Sequence, residues 1–489
     1  MIRKSLVLLT AIISCYAHIA AQGNENTTLI DNYLEKKVKD GFTGGLLIIK
    51  DGRPLLMKGY GFANREKQIQ FTEKTLACMG SITKAYTATA ILKLYEQGKL
   101  KLSDPLSNFF PNVPNDKAGI TIHQLLTHSS GFREFLENDG GDYEVLPKED
   151  FLKRAFAQPL AFVPGSKSVY TNVGMSVAAA IVEKVSGIGY ATFLQQQLFI
   201  PAGTKHIGYQ YPVTNEDAIA IGYDKGQYWG TLQQRFQKNG GGPYWNLLGN
   251  GGLYISLEDM YTWVMAIEKN KVLKSETKDL MFTPQIVEDG TNGSSSFGYG
   301  CNISKSRRGT KLIDNGGSNG IYHARLVRLP EEGVMMYMVS TDNTLNTNQL
   351  LPNVTQLYFT GTIETDFTQQ QQRFETEAAK TIYTIIIEKG ADNFLANYAV
   401  ELQKKGLTLD DDMILLNVGN VLTEEKKLEE AMALYKVYTT AFPNIVFAWN
   451  ELGFLYKMKG DKPNARKCFE KALVIRPSNA RAKKALEEL

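Results

Sequence analysis

The apolar positions along the chain fall into distinct rhythms. Leu6 to Ile13 is an almost unbroken apolar block that follows Arg3 and Lys4. Gly45 to Lys50 and Leu55 to Tyr60 are short apolar runs on either side of Asp51-Gly52, which predicts two strands joined by a tight hairpin. From Ser81 to Gln97 the period lengthens. Ala85, Ala88, Leu92 and Tyr95 share one helical face, and Gly98 ends the run. Ile122 to Thr127, Gly174 to Val185 and Asp259 to Glu268 also predict helices, with Gly131 and Gly187 as stop signals after the first two. Ile321 to Leu329 and Val334 to Ser340 read as strands around the turn Pro330-Glu331-Glu332-Gly333.

The polar run Gln369 to Gln372 marks a change of character, and only helical patterns follow it. Gly419, Ala431, Tyr435 and Pro443 recur 34 positions later as Gly453, Ala465, Phe469 and Pro477. With Trp449, Leu452, Tyr456 and Ala472, this set resembles the tetratricopeptide repeat. The resemblance implies two helix pairs over about 411–480, in which small residues let helices approach and aromatics fill the layer between them. Residues 374–405 read as a degenerate pair that covers the apolar face two repeats would leave exposed. Such a module either caps the domain before it or offers a docking surface for a protein partner.

Composition narrows the functional classes. Among 489 residues, 54 are basic and 51 acidic, a net charge of +3 with no long like-charge block. That balance gives nucleic-acid binding little support. The N-terminal block has the form of an export signal over residues 1–21, cleaved after Ala21. Ile12-Ile13-Ser14-Cys15 also has the form of a lipoprotein box, which would leave a lipid anchor on Cys15. The block falls short of the roughly 20 residues a membrane helix needs, and no other span is expected. The remaining cysteines, Cys78, Cys301 and Cys468, lie too far apart for a disulfide framework. His123 and His128 lack zinc-site spacing and read as satisfied structural histidines.

The chemistry centres on Ser81-Ile82-Thr83-Lys84. A Ser-x-x-Lys occurs by chance roughly twice in a chain of this length, and Ser275-Glu276-Thr277-Lys278 is a second match. Context separates them. Ser81 follows Gly80 at the start of an apolar helix, where unpaired N–H groups and a positive dipole end favour a nucleophile and an oxyanion. Lys84, three residues on, shares its face. The second match sits in a charged stretch and reads as solvated surface. A serine hydroxyl needs a base beside it. Lys84 can serve, and Tyr170 of Tyr170-Thr171-Asn172 can share the proton. Tyr244-Trp245-Asn246 repeats that form, so the triplet alone decides nothing.

The order of segments is more specific. Gly80 to Lys84, Tyr95 to Leu100, Leu102 to Leu106, Ile120 to Gly131, Pro164-Gly165, Tyr170-Thr171-Asn172, and Gly251 to Tyr254 with Glu258-Asp259 together resemble the serine β-lactamase-related family of class C β-lactamases, DD-peptidases and esterases. The resemblance covers about residues 30–345. It implies an α+β fold, an antiparallel sheet flanked by helices plus a helical subdomain, with the cleft between them. It makes Ser81 the acylated nucleophile, has Lys84 and Tyr170 relay its proton with Tyr170 the base, and sets Asn172 against the substrate amide and Lys84. Its third motif falls on Asp314-Asn315-Gly316-Gly317. Asn315, Gly316 and Gly317 would then line the substrate site, and Gly317 would supply an oxyanion N–H beside that of Ser81. Asp314 departs from the family, which carries a lysine or histidine there. An acid at this place would disfavour substrate carboxylates unless Arg325 or Arg328 offsets it. Gly316-Gly317-Ser318-Asn319-Gly320 also fits a nucleophile elbow, but a strand and not a helix should follow it.

The expected organisation is a signal at 1–21, a hydrolase domain at 28–362 and a helical-repeat domain at 374–489. The expected activity is exported, periplasmic or extracellular hydrolysis of esters or amides, β-lactams and D-amino-acid peptides among them, with no cofactor or metal. The alternative is a binding protein with a weakened site that acts through its cleft or its repeats.

Overall fold

The computed structural model describes residues 26–136, 141, 144–209, 216–238, 241–242, 244–368, 376–409, 412–477 and 479–489. The signal segment 1–21, Cys15 and the glutamine run 369–372 lie outside these. The described residues form two compact units that divide near residue 370.

The first unit is built on one eight-stranded antiparallel sheet. Its strands are β1 (Gly44–Lys50), β2 (Arg53–Tyr60), β3 (Ile286–Val287), β4 (Ser295–Phe297), β5 (Asn302–Lys305), β6 (Lys311–Ser318), β7 (His323–Leu329) and β8 (Val334–Ser340). They lie in the order β3-β4-β5-β6-β7-β8-β1-β2. The β1–β2 hairpin turns on Asp51 and Gly52, both at positive φ (49° and 77°), which matches the right-handed twist of the strands. Helices α1 (26–39) and α5 (Thr347–Thr360) cover one face of the sheet. There Ile30, Leu34, Leu350 and Val354 pack on Leu46, Ile48, Val327 and Met336.

The other face carries α2 (Thr83–Glu96) and α4 (Leu257–Glu268), where Tyr86 stacks on Trp263 at 4.5 Å. Beyond α2 lies the helical subdomain, built around α3 (Asn172–Ser186). The sheet brings its residues together from opposite ends of the sequence, whereas the subdomain is one insertion between β2 and β3. The cleft between them therefore takes residues from distant stretches. No single helix among the described residues is long and apolar enough to cross a membrane. The described cysteines, Cys78, Cys301 and Cys468, are buried.

The second unit is helical among its described residues: α6 (Glu377–Lys389), α7 (Ala391–Lys404), α8 (Asp412–Glu424), α9 (Leu428–Ala441), α10 (Val446–Met458), α11 (Lys462–Ile475) and α12 (Ala480–Glu487). The 34-residue recurrence has a steric basis. A Cβ on Gly419 of α8 would stand 2.5 Å from the Tyr435 hydroxyl of α9, and one on Gly453 of α10 would stand 2.7 Å from the Phe469 ring of α11. Each glycine is the hole for the aromatic of the paired helix. A Gly453→Leu variant should overpack this layer and destabilise the helical unit by ~1–3 kcal/mol. Hydrogen exchange of the full chain checks it: protection should drop over 446–475 and stay unchanged in the sheet.

Candidate active site

Ser81 lies in a single 3-10 turn, Gly80–Ile82, that leads into α2. The α-helix proper starts at Thr83, two residues later than its pattern suggests. Three hydrogen bonds fix the turn. Thr83 Oγ1 donates to the Gly80 carbonyl at 2.7 Å, Leu253 N–H donates to Thr83 Oγ1 at 3.3 Å, and Met79 N–H donates to the Leu253 carbonyl at 2.8 Å.

Lys84 is only 3% exposed, so it is no surface lysine. Its Nζ is 3.0 Å from Ser81 Oγ and donates to the Asn250 carbonyl at 2.9 Å. Asn250 is tied down in turn, since its Nδ2 donates to Ser176 Oγ and to the Asn246 carbonyl. Nothing in the sequence singles out Asn250. It acts through its backbone oxygen, which leaves no mark on residue type. Tyr170 comes in from the subdomain, hydrogen-bonds Ser81 and lies with its ring 4.6 Å from Lys84 Nζ. Burial pushes its phenol above the usual tyrosine range. The Ser81 hydrogen bond works against that rise, and the Glu134 carboxylate adds to it.

Thr171 caps α3 by accepting from Gly174 N–H, which sets Asn172 in the first turn, on the cleft wall with Ser81 and Tyr170. The cleft encloses ≈ 790 Å³, open solvent included. Leu232, Leu247 and Phe135 form its apolar side, and Ser318, Asn319 and Gly320 close the end of β6. Among the described residues lining it, none is cationic and Glu134 is acidic.

The third motif lies on β6, but its residues diverge. Pairing with β5 stops at Asp314, while pairing with β7 runs on to Ser318. Gly80 and Ser81 pack against the segment beyond Asp314. A Cβ on Gly317 would collide with the Met79 carbonyl oxygen and come within 2.8 Å of Ser81 N. Gly317 thus packs directly on the nucleophile turn, Gly316 precedes it on the strand, and the residues of this segment that line the cleft are Ser318, Asn319 and Gly320. Asn315 does not face the cleft. Its amide donates to the Gly300 carbonyl at 2.7 Å, buried beneath α2. Strand alternation turns this side chain to the helix-covered face.

Asp314 points the other way and is not an uncompensated charge. Arg325 grips it with contacts of 2.6, 3.0 and 3.2 Å. Burial opposes the Arg325 charge, but Asp314 outweighs it and raises the guanidinium pKa. Arg328 takes no part. It is buried against Glu268 at 2.9 Å.

Residues 29–356 match the Beta-lactamase family model. The chain belongs to the beta-lactamase family. Residues 446–479 match the Tetratricopeptide repeat model. The chain is similar to PbpX of Bacillus subtilis, named as a penicillin-binding protein, at 34% identity over 277 residues, covering 55% of this chain and 64% of that one. It is 24% identical over 301 residues to penicillin-binding protein 4* of the same organism, covering 59% of this chain and 66% of the relative. It thus spans just under two thirds of each. An octameric penicillin-binding protein homologue from Pyrococcus abyssi aligns with a TM-score of 0.60 and 26% identity over 73% of this chain and 81% of that one. A penicillin-binding protein from Bacillus halodurans, at 24% identity and TM-score 0.57, covers 66% of this chain and 97% of its own and supports the fold alone.

The decoys of this beta-lactamase-family chain fall elsewhere. Ser275 is exposed at the start of a surface helix, Ser275–Met281. In Tyr244-Trp245-Asn246, the Asn246 amide donates to the Gly141 carbonyl. Ser318 ends β6 and a strand follows, so it sits on no nucleophile elbow. His123 pairs with the Tyr299 hydroxyl at 2.9 Å, and burial lowers its pKa.

Substituting Gly317→Ala should displace the Ser81 turn, since the new methyl group meets the backbone of Met79, Ser81 and Ile82. We expect active-site labelling to slow by about a hundredfold while the thermal transition shifts little. A labelling time course with a fluorophosphonate checks it.

Proposed function

We propose that this protein hydrolyses ester or amide bonds of small, uncharged substrates through an acyl-enzyme on Ser81. The observation that carries this reading is the convergence on one hydroxyl of a buried amine at 3.0 Å and a buried phenol from another segment. Both donors of a proton relay are in reach before any substrate arrives.

The steps follow from that arrangement. Ser81 Oγ bonds to the substrate carbonyl carbon as its proton passes to the Lys84–Tyr170 pair. The N–H groups of Ser81 and Gly317 hold the oxyanion. On collapse, the bond to the leaving group breaks and the leaving group takes a proton from Tyr170, which is refilled from Lys84. Water then attacks the acyl carbon, gives its proton to the Lys84–Tyr170 pair, and Ser81 departs with a proton. Tyr170, buried and hydrogen-bonded to Ser81, is the base that the family resemblance implies, and Lys84 lies beside it to share the proton.

Substrate charge follows from the cleft wall. Apart from Lys84 beside Ser81, it offers no cation among its described residues, and Arg325 is engaged by Asp314. A carboxylate therefore meets no partner there, and a neutral ester or amide meets no penalty. The reading of a weakened binding protein rests on Asp314, and its pairing with Arg325 away from the cleft argues against that reading. Export through residues 1–21, a lipid on Cys15 and a protein partner for the repeats belong to the same proposal. N-terminal sequencing of the envelope fraction checks the first two.

The experiment compares p-nitrophenyl acetate with nitrocefin, alongside fluorophosphonate labelling of wild type and Ser81→Ala. We expect ester turnover well above nitrocefin turnover, and no labelling of Ser81→Ala. Efficient nitrocefin hydrolysis without esterase activity would overturn the substrate class. Equal labelling of the alanine variant would overturn the nucleophile.

A further inference from the structure

His128 sits in the stretch Leu126-Thr127-His128-Ser129-Ser130-Gly131 and reads from sequence as a satisfied core histidine. Its surroundings are more specific than that. The ring lies against the Tyr170 ring, with centroids 4.9 Å apart and planes 34° apart, and edge-on to Phe297 at 4.8 Å. Its Nδ1 accepts the Thr171 N–H at 3.1 Å, and its carbonyl accepts the Val169 N–H at 2.9 Å. The residues on both sides of Tyr170 are thus pinned to one residue, whose ring also backs the phenol. His128 adopts a left-handed φ of 56°, which few non-glycine residues tolerate. That conformation lets its backbone and side chain bond the same short segment.

We infer that His128 is the positioning residue for Tyr170: it holds the phenol against Ser81 and does not itself touch the substrate. This rests on the serine-hydrolase reading above. An Nδ1 that accepts the Thr171 N–H carries no proton, so the neutral ring bears its hydrogen on Nε2. Protonation would turn that acceptor into a donor facing an N–H and would add a cation beside Lys84. Burial, helped by the Lys84 charge, holds the imidazole down to about 3, so the clamp persists across the physiological range. Phe297 comes from β4 and Tyr170 from the subdomain, so the ring also bridges the sheet and the subdomain.

The test is a double-mutant cycle on the full chain. His128→Asn keeps an acceptor near the Nδ1 position and a residue type that tolerates the left-handed region, but removes the ring. His128→Gly tolerates the backbone fully and removes both contacts. The readout is the second-order rate of Ser81 acylation by a fluorophosphonate, followed by intact mass in the wild-type and Tyr170→Phe backgrounds, with thermal melts alongside. We expect His128→Asn to slow acylation by ~10–100-fold and to leave the rate of Tyr170→Phe unchanged, because the group it positions is already gone. An equal slowing in both backgrounds, or no slowing in either, would overturn the inference. Failure of both His128 variants to fold would overturn it too, by making His128 part of the scaffold alone. An unlabelled wild type would bring down the serine-hydrolase reading first, which keeps the two failures distinct.

Discussion

The site depends on an amine taken out of water and held against a hydroxyl. Lys84 Nζ stands 3.0 Å from Ser81 Oγ inside a wall of protein, and a buried ammonium or amine is tolerated only where its hydrogens find partners. The Asn250 carbonyl is one such partner, and the loop from Asn246 to Leu253 is built to hold it. Asn250 is anchored by two side-chain bonds, Thr87 Oγ1 donates to the Gly249 carbonyl at 2.6 Å, and Leu253 clasps the Ser81 turn. The glycine contact between Gly317 and the Met79–Ser81 backbone completes the arrangement from the sheet side. That close approach holds the nucleophile turn against the strand.

This dependence explains why charge in the cleft is managed as it is. Asp314 lies on the far face of β6 and is neutralised by Arg325 across the strand pair, so its charge is spent outside the cleft. Glu134 is the acid that lines the cleft among the described residues. On the proposed reading, such a wall keeps the proton relay and gives a substrate carboxylate little to bind.

Much of this is legible in the order of residues alone, for physical reasons that differ from one to the next. Ser81 and Lys84 are local, and helical spacing by itself puts them on one face. The hairpin at Asp51-Gly52 and the helix stop at Gly187 follow from backbone conformations that few residues adopt. The Gly419–Tyr435 and Gly453–Phe469 layers follow from a period, which sequence shows directly. The departures have causes as definite. Motif order puts Asn315 in the cleft, but where α2 crosses β6 depends on contacts between distant parts of the chain, and Asn315 falls beneath the helix while Gly317, on the same face, meets the Ser81 turn. Asn250 escapes notice because a carbonyl oxygen has no residue signature. His128 looks inert because a buried, satisfied histidine and one that orients a neighbour are alike until the neighbour is known.

The claim on which the rest stands is that Lys84 makes Ser81 reactive. It is tested most directly by mapping where an ester substrate leaves its acyl group. Rapid acid quench during p-nitrophenyl acetate turnover, followed by peptide mass mapping, should place the acetyl group on the peptide containing Ser81, with accumulation largely lost in Lys84→Met. An acetyl group found on another serine, or an undiminished adduct in the Lys84 variant, would contradict it.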